Sequence, residues 1–185
     1  FGDFFDPFGG ISDIKHKLLK TPLDSDITFS DDPLRMIRAA YFSAKLEFNL
    51  SDDCFASMNR QAKRIKIVSW ERITAELIKI LQTSEPSKGL LLLKDAGLMA
   101  HIFPEIDAMS SMEQNEDWHH KDVFIHTLQV VDNAAKLSDK MEIRFAALVH
   151  DIAKPRTRRI DPIKGYTFHG HDSVGEKMLN TIAKR

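Results

Sequence analysis

Histidine and aspartate residues in the last third of the chain have the residue types of a metal site. Six of the eight histidines lie between residues 119 and 171. His126 lies in a segment with apolar residues at helical spacing, and the pair His150-Asp151 ends another such segment. Imidazole nitrogens and a carboxylate oxygen bind divalent transition metals, and Mg²⁺ binds such sites when more oxygens are available. We therefore predict that His126, His150 and Asp151 face one point and could hold a metal ion.

Residues downstream of this pair could complete the site. His169, His171 and Asp172 could add ligands or bind phosphate. Cationic side chains that could hold an anion follow Asp151 directly, namely Lys154, Arg156, Arg158 and Arg159. A metal ion here would lower the pKa of a bound water molecule and polarise a phosphoryl oxygen, so the predicted chemistry is hydrolysis of a phosphate ester. The alternative is a chance His-Asp dipeptide at the end of an ordinary helix.

Asp32 and Arg35 form a second pair of residues that could have a chemical role. They are three residues apart at the start of a predicted helix, so they share one of its faces. Cytosine and adenine both present an exocyclic amine beside a ring nitrogen. A carboxylate can accept a hydrogen bond from the amine, and a guanidinium can donate one to the ring nitrogen. Guanine and uracil present a carbonyl oxygen beside an N–H instead. Polar groups would then stay unpaired, which costs binding free energy. Spacing alone favours the plainer alternative, a helix cap with an ion pair worth about 0.2–0.5 kcal/mol.

Composition restricts the class of protein. The 185 residues carry 26 Lys and Arg against 27 Asp and Glu, so any nucleic-acid surface must be a local patch. The candidate for such a patch is a basic edge on a predicted helix, although sequence alone favours an ordinary solvated face: Arg60, Lys63, Arg64 and Lys66. The single cysteine, Cys54, excludes a disulfide framework and a zinc-finger cluster. The longest apolar run, Gly89–Leu93, is too short to cross a bilayer, and no signal-peptide pattern opens the chain, so we expect a cytoplasmic protein without membrane contact.

The elements that must position these residues are nearly all helices. A short strand or extended link is expected over Asp24–Phe29, and a domain boundary over Ala108–Asn115, where the composition changes. A basic loop is expected over Lys154–Gly165. Apolar periodicity and capping residues predict the following helices: Ser12–Leu19, Asp32–Leu46, Asp53–Ile65, Trp70–Leu81, Ser87–Ala96, Val123–Leu137, Glu142–Ala153 and Ser173–Arg185.

The motifs HHKDVFIHTL, ALVHDIAKP and FHGHD follow one another in this order. Together they resemble the HD superfamily of metal-dependent phosphohydrolases. The resemblance implies that His126, His150 and Asp151 are metal ligands and that His171 is a secondary candidate. Mg²⁺ or a transition metal such as Ni²⁺, Mn²⁺ or Co²⁺ would suit these ligands. That family has a further Asp ligand downstream, which we expect beyond Arg185, so that the HD domain here is truncated.

The first part of the chain contains the motifs DPFGGISDIKHKLLKT, FSDDPLRMIRAAYFSAKL and SWERITAELIKIL. They are very similar to the class II tRNA nucleotidyltransferase (CCA-adding enzyme) and bacterial poly(A) polymerase family. The resemblance implies that Asp32 and Arg35 template the incoming CTP or ATP and that Arg38 supports the pocket or a phosphate. Glu71 and Arg72 match a helical motif that braces the neck of these enzymes.

The resemblance also implies a mainly α fold in three parts. We expect residues 1–30 to end the nucleotidyltransferase head, residues 31–110 to form the helical neck and body, and residues 111–185 to form the HD domain. The chain begins with Phe and ends inside a predicted helix, so it is expected to be a fragment. The head motifs that hold catalytic Mg²⁺ do not occur in it, and the fragment alone is predicted not to transfer nucleotides.

The expected function of the parent protein is addition of CCA to tRNA from CTP and ATP. Addition of A alone, addition of C alone and poly(A) tailing remain open alternatives. Two further alternatives are a phosphohydrolase that acts through the HD site and a non-enzymatic RNA-binding clamp. The sequence predicts no oligomeric state.

Overall fold

The chain folds into a mainly α structure, as predicted. The computed structural model describes residues 5–111, 122–163 and 165–184. The first half contains the helices α1 (Gly10–Lys15), α2 (Ser25–Asp31), α3 (Leu34–Leu46), α4 (Asp52–Gln61), α5 (Trp70–Leu81), α6 (Pro86–Asp95), α7 (Met99–Ile102) and α8 (Pro104–Asp107). Short 3₁₀ turns follow α4 and α8, at Ala62–Ile67 and Ala108–Ser111. The strands β1 (Leu18–Leu19) and β2 (Asn49–Leu50) pair in parallel.

The second half begins with two helices that form an antiparallel pair. These are α9 (Val123–Leu137) and α10 (Met141–Val149). The short helix α11 (Lys154–Thr157) follows, and the antiparallel strands β3 (Arg159–Asp161) and β4 (Gly165–Thr167) form a hairpin. The last element is α12 (His171–Ile182). In the part of the chain that the structure describes, no helix is long and apolar enough to span a bilayer.

The helices α3, α5 and α6 pack closely because Gly89 has no side chain. A Cβ atom at Gly89 would lie 2.7 Å from Cγ2 of Ile80 on α5 and 3.2 Å from the carbonyl oxygen of Ala40 on α3. Ala40, Ala44 and Ile80 are fully buried at this contact. The start of α3, which carries the predicted nucleotide residues, is thereby fixed on the body of the structure.

Arg144 on α10 joins the two halves of the chain. Its side chain is buried and donates to the carbonyl oxygens of Leu81, at 2.7 Å, and of Thr83, at 2.9 Å, just beyond the end of α5. It also donates to the carbonyl oxygens of Ser138 and Ala135 around the α9–α10 turn. One apolar core runs from the first half into the second. The body therefore supports the helices that carry the predicted metal ligands.

Most predicted helices are confirmed, but the expectation for residues 24–29 is wrong. Asp24 accepts a hydrogen bond from the backbone N–H of Ile27 at 2.9 Å and caps α2, whose Phe29 is buried. The helix predicted from Ser12 ends at Lys15, because Lys17 adopts a left-handed backbone conformation with φ of 52°.

The predicted loop over residues 154–165 also contains structure, namely α11 and strand β3. The helix predicted to reach Ala153 ends at Val149. The expected boundary over residues 108–115 lies partly outside the described residues, and the three predicted domains stay predictions.

Candidate functional site

His126, His150 and Asp151 converge at the contact between α9 and the end of α10. His126 lies one turn into α9, and His150 and Asp151 follow the last residue of α10. One ligand atom from each of the three side chains lies within 4.8 Å of the other two. The His126 and His150 rings meet edge to face, with centroids 5.5 Å apart. These distances would allow a single metal ion to contact all three.

Backbone hydrogen bonds orient two histidine rings at this cluster. The Nδ1 atom of His150 lies 2.9 Å from the carbonyl oxygen of Ala147, and Nδ1 of His171 lies 2.9 Å from that of Phe168. A carbonyl oxygen only accepts, so each Nδ1 carries a proton, and Nε2 of His150 carries another when it donates to Asp151. This arrangement turns Nε2 toward the cluster, as outer hydrogen bonds do for histidines that bind metals.

Asp151 is the buried centre of the cluster, with a side chain that is 4% exposed. Its Oδ2 atom lies 3.1 Å from Nε2 of His150, 3.9 Å from Nε2 of His126 and 2.7 Å from Nζ of Lys154. Burial by itself would raise the pKa of Asp151, but the hydrogen bonds from His150 and Lys154 outweigh it and hold the pKa at about 2. The same hydrogen bond to Asp151 raises the pKa of His150. The carboxylate is thus ionised at neutral pH, which is the form that binds metals.

His171 lies beside the other oxygen of the Asp151 carboxylate. Its Nε2 atom is 3.9 Å from Oδ1 of Asp151. The ligand atoms that all lie within 4.8 Å of one another come from His126, His150 and Asp151, and His171 is not among these residues. His169 and Asp172 are exposed on either side of it. The role of His171 as a further ligand stays a prediction.

Asp32 at the start of α3 has both carboxylate oxygens engaged. Oδ1 accepts a hydrogen bond from the backbone N–H of Leu34 at 3.2 Å, and Oδ2 accepts one from Nη2 of Arg72 at 3.0 Å. Arg35 donates from Nη1 to the carbonyl oxygen of Thr28 at 3.1 Å. The ion pair of Asp32 is therefore with Arg72 on α5, across 40 residues of sequence, and the two predicted template residues face separate partners.

A cleft of about 460 Å³ lies beside α3, and both predicted arginines line it. Arg35 and Arg38 are exposed at its edge, whereas Asp32 is not part of its lining. The remaining wall is largely apolar and is formed by Leu19, Lys20, Thr21, Pro22, Leu23, Thr28, Phe29, Ala39, Phe42, Leu50 and Cys54. The structure thus brings Arg35 and Arg38 to one cavity, whose lining does not include Asp32.

Two contacts were not identified in the sequence analysis. Arg72 was interpreted as a brace of the neck helix, and its pairing with Asp32 depends on how α5 packs against α3, which no local pattern encodes. Lys154 was grouped with the anion-binding cations, although it bonds to Asp151. The spacing of these two residues, which is three, is a signal that could have revealed the second contact.

The basic edge after α4 is partly used for internal contacts. Arg60 forms an ion pair with Asp26 at 2.8 Å, and Arg64 donates to the carbonyl oxygen of Ser30 at 2.9 Å. Lys63 and Lys66 are exposed, and both lower the pKa of His101 after the larger effect of its burial. This edge is therefore a smaller cationic surface than its sequence predicts.

Two family models match the chain. The model described as "Probable RNA and SrmB- binding site of polymerase A" matches residues 47–110, and the model described as "HD domain" matches residues 123–185. The first match covers α4 to α8, and the second contains all residues of the His/Asp cluster. The two matched regions follow one another along the chain and together cover residues 47–110 and 123–185.

Curated relatives align with the whole chain. A "Multifunctional CCA protein" of Vibrio campbellii is 38% identical over 191 residues, and one of Vibrio parahaemolyticus is 36% identical over the same length. In both cases all of this chain is covered, but the chain spans only 45% of the length of the relative.

Solved structures share the fold. A "tRNA-processing enzyme (apo form 2)" matches with a TM-score of 0.62 at 19% identity, covering 84% of this chain and 44% of that one. The Bacillus stearothermophilus CCA-adding enzyme in complex with CTP matches with a TM-score of 0.52 at 18% identity, covering 96% and 54%. The Thermotoga maritima CCA-adding enzyme complexed with tRNA_CCA has the same score at 16% identity, covering 97% and 54%.

Proposed function

We propose, on the premise that this chain belongs to the class II tRNA nucleotidyltransferase and bacterial poly(A) polymerase family, that its parent protein adds CCA to tRNA 3′ ends from CTP and ATP. The observation that carries the proposal is the start of α3, where hydrogen bonds hold both Asp32 and Arg35 and where Arg35 lines a cleft. The solved relatives with bound CTP and tRNA lend support to these ligands.

The Asp32 and Arg35 pair would select the base. The Asp32 carboxylate would accept a hydrogen bond from the exocyclic amine of cytosine or adenine, and the Arg35 guanidinium would donate to the adjacent ring nitrogen. Guanine and uracil would oppose a carbonyl oxygen to the carboxylate, which leaves polar groups unpaired and discriminates strongly against them. Arg38, one turn further along α3 at the same cleft, would contact the pocket or a phosphate of the nucleotide.

Positioning is the contribution of this part of the protein to the reaction. The packing of α3 on α5 and α6 fixes the template, so little rotational freedom is lost when the nucleotide binds. In the proposed parent, Mg²⁺ would be held by the family's carboxylates in the head, where it would activate the tRNA 3′ hydroxyl and neutralise the leaving pyrophosphate. The residues of this chain would bind the base and the tRNA.

An end-sequencing experiment tests the proposal. The full-length parent is incubated with Mg²⁺, CTP, ATP and a tRNA that lacks its last three nucleotides, and the product ends are sequenced. Addition of C, C and A in that order is expected. Addition of A alone, of C alone or of long A tails would keep the nucleotide pocket assignment but replace CCA addition by one of the alternative functions. If no nucleotide is incorporated, the proposed function is wrong.

A second function is favoured by the His/Asp cluster, namely metal-dependent hydrolysis of phosphate esters. His126, His150 and Asp151 would hold the metal, which could be Mg²⁺, Ni²⁺, Mn²⁺ or Co²⁺, and when bound it would supply Lewis acidity and a more acidic water molecule. In hydrolysis the water oxygen bonds to phosphorus, an ester P–O bond breaks, and the proton ends on the leaving oxygen. The outer hydrogen bonds of His150 and His171 would fix the rings during this step.

Metal titration distinguishes this function from a purely RNA-binding HD domain. The purified protein is titrated calorimetrically with each of the four ions, and hydrolysis of cyclic and terminal nucleotide phosphates is followed with and without metal. Binding that is lost in His150→Ala, together with metal-dependent hydrolysis, is expected. If no ion binds and His150→Ala changes nothing, the phosphohydrolase proposal fails.

A further inference from the structure

A basic segment is anchored at both ends to the His/Asp cluster. At its start, Nζ of Lys154 lies 2.7 Å from Oδ2 of Asp151, and just after its end, Nε2 of His171 lies 3.9 Å from Oδ1 of the same carboxylate. Helix α11 and the β3–β4 hairpin lie between these two contacts. We call the described residues between these two contacts, 154–163 and 165–169, the rim.

The rim is strongly cationic in a nearly neutral protein. These residues comprise four Lys and Arg and one carboxylate, a formal charge of +3, whereas the whole chain has a charge of −1. Arg156 on α11 and Arg159 at the start of β3 are both exposed. Arg158 stacks on Tyr166 across the base of the hairpin, with its guanidinium carbon 3.7 Å from the ring centroid. The stack stiffens the hairpin and so gives the exposed arginines a rigid support.

Apolar side chains are exposed beside these cations. Ile160 is 76% exposed and Ile163, in the hairpin turn, is 93% exposed. An inorganic anion would bind the cationic side chains alone and has no apolar group to contact the isoleucines. A single nucleic-acid strand presents phosphates together with the apolar faces of bases and sugars, and it is bound by surfaces of this mixed kind.

We propose that the rim binds the phosphate backbone of a single-stranded RNA and thereby places its terminal phosphate at His126, His150 and Asp151. This inference rests on the proposed phosphohydrolase function, to which it adds a preferred substrate class: a phosphate at the end of an RNA strand. RNA is favoured over other polyanions because residues 47–110 of the same chain match an RNA-binding region.

The salt dependence of RNA binding tests the rim. A fluorescent single-stranded RNA with a 3′ phosphate is titrated with the wild-type protein and with Arg156→Gln/Arg159→Gln at several salt concentrations. Each lost phosphate contact should reduce the slope of log K against log[salt] by about 0.7, so a slope shallower by about 1.4 is expected. Arg156→Lys/Arg159→Lys keeps both charges and should retain the wild-type slope.

The matched control removes two charges elsewhere in the same part of the chain. Lys177 on α12 and Lys184 beyond its end are both exposed, and Lys177→Gln/Lys184→Gln should leave the slope at the wild-type value. An equal loss in both variants would show general electrostatic attraction, and an unchanged slope in Arg156→Gln/Arg159→Gln would overturn the proposal. Calorimetric titration with Mn²⁺ or Ni²⁺ is done in parallel, so that failure of the metal site is detected separately from failure of the rim.

Discussion

Arg72 on α5 holds Asp32, at the start of α3, by a hydrogen bond of 3.0 Å from Nη2 to Oδ2. The other oxygen of Asp32 accepts from the backbone N–H of Leu34, so the carboxylate has one orientation. A residue far along the chain therefore positions the carboxylate that we propose to be half of the base template.

Replacement of Arg72 should impair nucleotide selection more than folding. The Arg72–Asp32 pair is half-exposed and should contribute only about 0–1 kcal/mol to the free energy of unfolding. A misplaced template can cost up to roughly 100-fold in rate, so in the full-length protein Arg72→Ala should lower kcat/KM for CTP toward that limit while Tm changes little. Arg72→Lys should be intermediate, and Glu71→Gln, on the same turn, should be close to the wild type. A large fall in Tm with unchanged selectivity would assign Arg72 a structural role only.

Loss of one proposed metal ligand should abolish tight metal binding. Changes to residues that merely orient ligands cost about 10–100-fold in affinity, so His126→Ala should weaken Mn²⁺ or Ni²⁺ binding by more than about 100-fold. His101→Ala, a histidine in α7 outside the cluster, serves as the control in calorimetric titration. Equal metal affinity in the two variants would contradict the assignment of His126.

Asp26 should make stability depend on pH in the acid range. Hydrogen bonds from Ser57, and then from Arg60, hold the pKa of Asp26 below its usual value. A lowered folded-state pKa gives stabilisation that is present above the unfolded-state pKa, about 3.9, and is lost as the pH falls through the folded-state pKa.

This stabilisation should disappear in Asp26→Asn. Urea unfolding of the wild type and the variant should therefore differ at pH 6 and converge as the pH is lowered below about 4. Asp31→Asn, at an exposed carboxylate on the same helix, is the matched control. A constant difference between wild type and Asp26→Asn across this range would contradict the ion-pair account.

Gly89→Ala should destabilise the body. The added Cβ would lie 2.7 Å from Cγ2 of Ile80 and 3.2 Å from the Ala40 carbonyl oxygen, and overpacking of this kind costs about 1–3 kcal/mol. Gly10→Ala is the control, because its Cβ would have no neighbour closer than 3.5 Å. Urea unfolding measures both, and an increase in stability for Gly89→Ala would show that α6 can move away from α3 and α5 without cost.

The helices that carry the sites could be predicted because their signals are local. Apolar spacing and a Pro near the first turn marked α3, and similar periodicity marked α5 and α9. Helix α2 was missed because its alternation of polar and apolar residues resembles a strand, while the decisive signal was the Asp24 cap.

The convergence of His126 with His150 and Asp151 was predicted from residue types and helical spacing, and the order of the motifs supported it. Its distances depend on how α9 packs against α10, which sequence spacing does not encode. The same limit applies to Arg144, whose bonds to Leu81 and Thr83 span more than 60 residues. Long-range contacts of this kind require the folded structure.

The 185-residue chain alone should add no nucleotides to tRNA, although the full-length protein should. The family's paired metal-binding carboxylates for nucleotidyl transfer are not found in this sequence, and a two-metal displacement depends on them. Incubation of the chain with tRNA, Mg²⁺ and labelled CTP or ATP should give no incorporation above background. Incorporation that survives in Asp32→Ala/Arg35→Ala would show that a contaminating enzyme is responsible, and incorporation lost in that variant would contradict the prediction.

The most direct test of the template is nucleotide choice by the full-length protein in a mixture of all four nucleoside triphosphates. The tRNA substrate lacks its last three nucleotides, and product ends are sequenced for the wild type and for Asp32→Ala/Arg35→Ala. We predict C, C and A for the wild type, and for the variant slower addition with G and U at all three positions. Retention of strict C and A selection by the variant would show that Asp32 and Arg35 do not read the base.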